Sequence, residues 1–178
     1  MQYADELKRS MEFLAKDPKT IFLGQAVAFK GTAMSNSLLN ISEDQKIEWP
    51  VTEEMQMGAS IGLALGGYTP VSIFPRWNFL CLATNSLVNH LDKLARISDG
   101  QYKPKVIIRT SIGSQRPLHP QDQHIDDFTD AYRSMCKNID IVRLEEPGEI
   151  LPAYRLAYGR RDGKSTILVE YGDYHSEK

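Results

Sequence analysis

The chain has 178 residues, 42% hydrophobic and 25% charged, with a formal net charge of −2 and a pI of about 6.1. That length suits one domain, residues 1–178, with room for a sizeable core. The acidic balance argues against nucleic acid as the main partner, since phosphate binding needs a clustered basic surface. No apolar run approaches the length of a membrane span, so no membrane partner is expected. The charged, amphipathic N-terminus is not a signal peptide. The two cysteines, Cys81 and Cys136, match no metal-ligand spacing and read as reduced core residues of a cytoplasmic protein.

In chain order, residues 2–16 repeat apolar positions at helical spacing (Leu7, Met11, Leu14) and predict an amphipathic helix. Residues 20–29 read as an apolar strand, and 30–45 as a loop rich in Gly, Ser, Asn and Asp. A short strand over 46–51 leads into a helix over 53–65 that stops at Gly66-Gly67. A strand over 69–74, a long helix over 79–97 and a buried strand over 105–110 follow. Residues 111–124 form a polar loop with two prolines and two histidines. A helix over 126–136, a strand over 140–144, a helix over 147–161 with Pro147 in its first turn, and a strand over 165–170 complete the pattern. This alternation predicts an α/β fold: a three-layer, doubly wound, mostly parallel sheet with helices on both faces.

In such sheets ligands sit beyond the carboxyl ends of the strands. Three loops gather there and carry the unusual residues. In the first, Glu53 opens a helix; by itself it reads as a helix-start acid, favoured by the dipole and capped by Thr52. The same helix carries Gly58, Gly62 and Gly66 at intervals of four. Each glycine costs about 1 kcal/mol against alanine, which calls for close packing within the fold or across a subunit interface. The second loop, Arg76-Trp77-Asn78-Phe79, sets two aromatics where they belong to the core or stack on a flat heterocycle. The third holds His119, Gln121 and His124, solvated or available for proton transfer and anion binding. His90 and His175 read as a helix residue and a tail residue. There is no GxGxxG and no P-loop. There is also no acidic cluster spaced to hold Mg²⁺ with a phosphate, and Gly172-Asp173-Tyr174 is a faint echo of one. A phosphate-bearing cofactor would need a second chain for its phosphates.

Taken together, PVTEEMQMGASIGLALGGYTPV, IFPRWNFLCLATNSLVNHLDKLARISDGQ, KVIIRTSIG, HPQDQH and DIVRLEEPGEI resemble the pyrimidine-binding domain of thiamine-diphosphate enzymes. The likeness runs from about Tyr3 to Tyr171, nearest to the beta subunit of 2-oxo acid dehydrogenases, with transketolases a step away. It implies thiamine diphosphate as cofactor. Glu53 matches the glutamate that bonds a ring nitrogen of the aminopyrimidine, so that the exocyclic nitrogen can take the thiazolium proton, the thiazolium then acting as electron sink. Phe79 matches the aromatic that stacks on the pyrimidine, with Trp77 beside it. His119 and Gln121 resemble the histidine-x-glutamine of the active loop, although the loop lengths leave His119 and His124 as alternatives. Arg76, Gln121 and His124 are the substrate-side candidates, with Arg109 and Arg116 as further basic residues for an anionic substrate.

The resemblance further implies that a separate alpha-type chain holds the diphosphate and Mg²⁺, so no metal ligands are assigned to this chain. It also implies a heterotetramer of two chains of each kind, with Gly58, Gly62 and Gly66 at the contact between copies. The reaction implied is carbon–carbon bond cleavage or formation next to a carbonyl, by 2-oxo acid decarboxylation or two-carbon transfer. The alternatives are ketol transfer on a sugar phosphate and a non-catalytic assembly or regulatory subunit. Two departures stand out: Leu82 lies where many members of the family carry a polar residue, and their usual C-terminal domain is not matched.

Overall fold

A computed structural model of the chain describes residues 2–177. The elements run α1 (Tyr3–Leu14), β1 (Thr20–Gly24), α2 (Ala33–Asn36), β2 (Lys46–Glu48), α3 (Glu53–Leu65), β3 (Thr69–Ile73), α4 (Trp77–Leu82), α5 (Leu94–Ile97), β4 (Ile107–Ile112), α6 (Thr129–Met135), β5 (Ile139–Arg143), α7 (Pro147–Gly159), β6 (Ser165–Tyr171) and α8 (Tyr174–Glu177). The six strands form one sheet in the order β2-β1-β3-β4-β6-β5, and every pairing is parallel. The expected α/β architecture holds. No helix among the described residues is long and apolar enough to cross a membrane.

Strand periodicity sorts the core into two layers. On one face Phe22, Val71, Ile73, Ile107 and Leu168 pack against Leu7, Met11 and Leu14 of α1 and Ile150 and Tyr154 of α7. On the other, Ile108, Ile167 and Val169 meet Met57 of α3, Trp77 and Leu80 of α4, and Tyr132 of α6. β4 and β6 are buried along almost their whole length, as central parallel strands must be.

The strand expected over 46–51 ends at Glu48 and the helix expected over 126–136 begins at Thr129; three further elements differ more. The strand expected over 20–29 stops at Gly24, because Ala26 takes a positive φ of 57°. The Ala26 and Ala28 N–H groups then turn to the Glu48 carboxylate, at 2.7 and 2.9 Å. The strand expected over 105–110 runs instead from Ile107 to Ile112. The Val106 N–H is taken by Ser165 Oγ, and the far end is extended by pairing with Glu170 and Tyr171. The long helix expected over 79–97 is broken into α4, a π-helical turn over Ser86–Leu91 and α5. The wide turn lets both Leu91 and Asp92 face inward. There Asp92 accepts the N–H groups of Lys137 and Asn138 at 2.9 and 2.6 Å.

Candidate active site at the switch point

The chain leaves β1 for β2 on one side and returns to β3 on the other. The topological switch point therefore lies between the carboxyl ends of β1 and β3, where ligands enter such sheets. A cavity of about 320 Å³ opens there, lined by Gln25 after β1, Thr32 before α2, Arg76 and Phe79 after β3, Ser114 after β4 and His175 after β6.

α3 begins at this place and is pinned to it from below. The buried Gln56 amide donates to Ser72 Oγ at 3.1 Å and to the Ile73 carbonyl at 3.0 Å. Glu53, one turn earlier, is held at the sheet's upper edge, only 4% exposed. Gln25, which lines the cavity, donates from Nε2 to Glu53 Oε1 at 2.8 Å. The neighbouring Glu54 points the other way and accepts from Asn85 and Ser86. Thr52 is no side-chain cap; its hydroxyl accepts instead from Trp49 Nε1 at 3.1 Å. A carboxylate removed from water with one side-chain donor is not explained by helix capping alone.

Phe79 is half-buried and borders the cavity. Trp77 is 1% exposed and turns into the core against Tyr132, at 5.0 Å between ring centroids. The expected partnership of Phe79 and Trp77 in stacking is thus divided: Trp77 packs the core because the first turn of α4 directs it toward α6. The loop from 113 to 124 is drawn in at Gly113, whose N–H donates to the His124 carbonyl at 3.1 Å. A Cβ at Gly113 would stand 2.2 Å from that carbonyl oxygen. This approach sets the His124 ring roughly parallel to Phe79, at 6.0 Å and 24°, with Nδ1 3.1 Å from Asn78 Oδ1. His119 is exposed, and its Nδ1 accepts from the Gln121 N–H at 3.2 Å. Gln121 is exposed too, with φ of 76°. Neither His119 nor Gln121 lines the cavity.

The arginines separate. Arg76 borders the cavity and its guanidinium has no hydrogen bond or ion pair among the described residues. Arg109, expected near an anionic substrate, is instead fully buried against Glu170, which it grips through Nε and through Nη2. Its strand position puts it inside the α1 and α7 face, so it is committed to the core. Arg116 is exposed and pairs with Asp173 at 3.5 Å. Asp173 also accepts from Ser114 Oγ and from the Gln115 and Arg116 N–H groups. These bonds give the Gly-Asp-Tyr echo a plain structural task, which is to hold the loop after β4. Among the described residues, no three His, Cys, Asp or Glu side chains are grouped to hold a metal ion.

Gly58 and Gly62 lie on the outer face of α3, where an added Cβ would meet nothing within 4 Å. Val51, Met55 and Leu65 extend that stripe, all exposed. No contact among the described residues explains Gly58 and Gly62. Gly66 lies just past the helix end as its C-cap.

Sequence reasoning missed Gln25 and His175. Gln25 was hidden in a strand drawn too long, and His175 in an apparent tail. Both follow strand ends, which is the signal that could have found them.

No protein-family model matches the chain. It is 31% identical over 132 residues to the mitochondrial pyruvate dehydrogenase E1 component subunit beta of Drosophila melanogaster, covering 72% of this chain and 35% of that protein. The Caenorhabditis elegans counterpart is 26% identical over 146 residues, covering 80% and 41%. This chain is a homologue of pyruvate dehydrogenase E1 beta subunits. It spans less than half the length of these relatives. In fold it matches a split-gene transketolase described as an inactive beta4 tetramer, with a TM-score of 0.72 and 13% identity over 96% of this chain and 51% of that one. It also matches transketolase from Campylobacter jejuni, with a TM-score of 0.73 and 15% identity over 95% and 25%. The chain thus has a transketolase-like α/β fold.

Proposed function

We propose that this chain is the pyrimidine-side subunit of a split thiamine-diphosphate enzyme acting on a carbon–carbon bond next to a carbonyl. The observation that carries this reading is the buried Glu53, bonded by Gln25 of the cavity wall, at the switch-point cavity that Phe79 borders. Both fit the cofactor's aminopyrimidine. Glu53 would hold a proton at a ring nitrogen, and Phe79 would offer an apolar face to the ring. The cofactor when bound supplies the electron sink for the bond that is broken or made. Gln25 fixes the orientation of Glu53. Of the two loop histidines we take His124 as the one at the site, since it lies beside Phe79 while His119 is exposed. The diphosphate and Mg²⁺ fall to an alpha-type partner chain, and the open glycine face of α3 is the contact between copies of this chain in an assembly with two chains of each kind. 2-Oxo acid decarboxylation is favoured by the sequence relatives, and two-carbon ketol transfer is the second reaction class compatible with the site.

The test is co-expression with a candidate alpha-type chain, followed by calorimetric cofactor binding and turnover assays. Glu53→Gln is expected to keep assembly and lower turnover by roughly 10²–10⁴-fold, the usual share of a positioned proton donor. Unchanged turnover would remove Glu53 from the mechanism. Tight binding of cofactor and Mg²⁺ by this chain alone would remove the split site.

A further inference from the structure

A second cavity, of about 310 Å³, opens at the opposite end of the sheet. Lys137 and Asn138 on its wall lead into β5. The strands are parallel, so this is the end away from the switch point. The wall carries three cations from two stretches of chain: Lys93 and Arg96 at the start of α5, and Lys137 after α6. Its one carboxylate is Asp92, and Ala95 and Met135 supply apolar surface.

The three cations are held in place but not neutralised. None forms an ion pair among the described residues, whereas Arg109, Arg133, Arg143 and Arg160 each pair with an acid. Lys93 Nζ donates to Asn89 Oδ1 at 2.7 Å, and Asn89 Nδ2 donates in turn to Asn85 Oδ1 at 3.0 Å. Lys137 Nζ donates to the Ser134 carbonyl at 2.8 Å. An ammonium has three donors, so each lysine keeps two for another acceptor. Arg96 is exposed, and its guanidinium makes no hydrogen bond among the described residues. Asp92 does not answer this charge. Its Oδ1 is spent on the N–H groups of Lys137 and Asn138, which closes the turn between α6 and β5. Lys93 and Arg96, three residues apart on one helical turn, repel each other. A multiply charged anion would relieve the arrangement.

We propose that this cavity binds a phosphate group, either as the free ion or as a small ester. A phosphate group offers three acceptor oxygens and a charge of about −1.5 to −2, which matches cations arriving from two sides. A carboxylate, with two oxygens and one charge, matches only one of them. Arg96 supplies a planar fork and the two lysines supply point charges. The cavity falls within the range of small-molecule pockets, about 300–1,000 Å³, so the rest of an ester has room against Ala95 and Met135. Asp92 Oδ2 accepts no hydrogen bond among the described residues and can take a hydroxyl of that ester. None of this depends on the reaction at the switch point, on a cofactor or on a partner chain.

The experiment is a titration of the isotope-labelled full chain with sodium phosphate and with glycerol phosphate near neutral pH, followed in amide NMR spectra. Sodium chloride and sodium acetate at matched ionic strength are the controls. The expected result is a saturable shift of the Ala95, Arg96, Lys137 and Asn138 amides, at millimolar affinity or tighter, absent with either control. The affinity should fall about tenfold or more in Arg96→Gln/Lys137→Gln, with the loss of two charge-assisted contacts. It should largely return in Arg96→Lys/Lys137→Arg, which keeps both charges. Arg76→Gln, at the other end of the sheet, should bind as the unsubstituted chain does. Tighter binding of glycerol phosphate identifies an ester as the ligand, and equal or weaker binding identifies the free ion. Circular dichroism verifies that the variants fold, and Arg96→Gln alone, at an exposed side chain, should show part of the loss if the double variant does not. Shifts no greater than with chloride, equal saturation by acetate, or an affinity unchanged in the folded glutamine variants would overturn the proposal.

Discussion

Arg109 and Glu170 lie on adjacent strands with both side chains fully buried. Burial alone would push the Glu170 carboxyl up, but Arg109 and then His175 more than offset it and hold it down at about 2. A carboxyl depressed in the folded state contributes stability that is complete above its unfolded value, near 4.5, and lost as the pH falls toward about 2. The urea midpoint of the chain should therefore drop steeply across that window. The drop should be shallower in Arg109→Leu/Glu170→Leu, where the titrating group is gone. Arg109→Leu alone should destabilise by about 3–5 kcal/mol, because it strands a buried carboxylate, and the double variant by much less. Equal losses in the two would show that the pair is not coupled. Cys136 offers a second check: burial, with Asp92 nearby, pushes its thiol up to about 12. It should resist alkylation at pH 8 until the chain is unfolded, as followed by mass spectrometry.

At the scale of elements, α3 does two things with opposite faces. Its inner face carries Glu53, Gln56, Met57 and Ser60 into the fold, and its outer face leaves Gly58 and Gly62 open. Because a Cβ meets nothing there, Gly58→Ala and Gly62→Ala should each stabilise the lone chain by roughly 1 kcal/mol in thermal unfolding. Gly62→Phe should leave the lone chain folded and weaken its association with a second copy, as read by sedimentation. A destabilised lone chain would mean that the glycine serves the fold and not an interface. The loop after β4 poses the contrary case, where Gly113 has no room for a side chain. Gly113→Ala should displace the 113–124 loop and release the His124 ring from Phe79, visible as a changed His124 NMR signal with the far-ultraviolet circular dichroism preserved. The broken helix after Phe79 is the element that periodicity alone misreads. Its buried positions Leu80, Leu87 and Leu91 keep helical spacing, so the pattern shows one helix. The π turn exists to bring in Asp92, whose task is set by backbone groups some 45 residues away.

Across the whole molecule, the functional groups come from five separate stretches that meet only because the strands are parallel. Each strand delivers its following loop to the same end of the sheet. Gln25, Glu53, Arg76 with Phe79, Ser114 and His175 are brought together by that rule. Two cavity walls, the buried carboxylate and the open helix face fit a site completed by another chain. Mixing with an alpha-type chain should therefore protect the amides of the cavity loops after β1, β3 and β4 from hydrogen exchange while leaving those of α1 and α7 unchanged. Protection confined to α1 or α7 would place the partner on the wrong face.

The sequence by itself determined the α/β class, the order of strands and helices, and the position of Glu53 and Phe79 after their strands. These follow from local periodicity and from short-range chemistry, which are written in consecutive residues. Only the tertiary structure decided that Trp77 packs the core while Phe79 borders the cavity, that Arg109 is locked to Glu170, and that His124 and not His119 reaches Phe79. It also decided that an apparent tail histidine, His175, stands in the cavity wall. Each of those outcomes depends on which distant strand lies alongside, and on whether a burial is matched by a partner of opposite charge. A single residue's type and spacing carry neither piece of information.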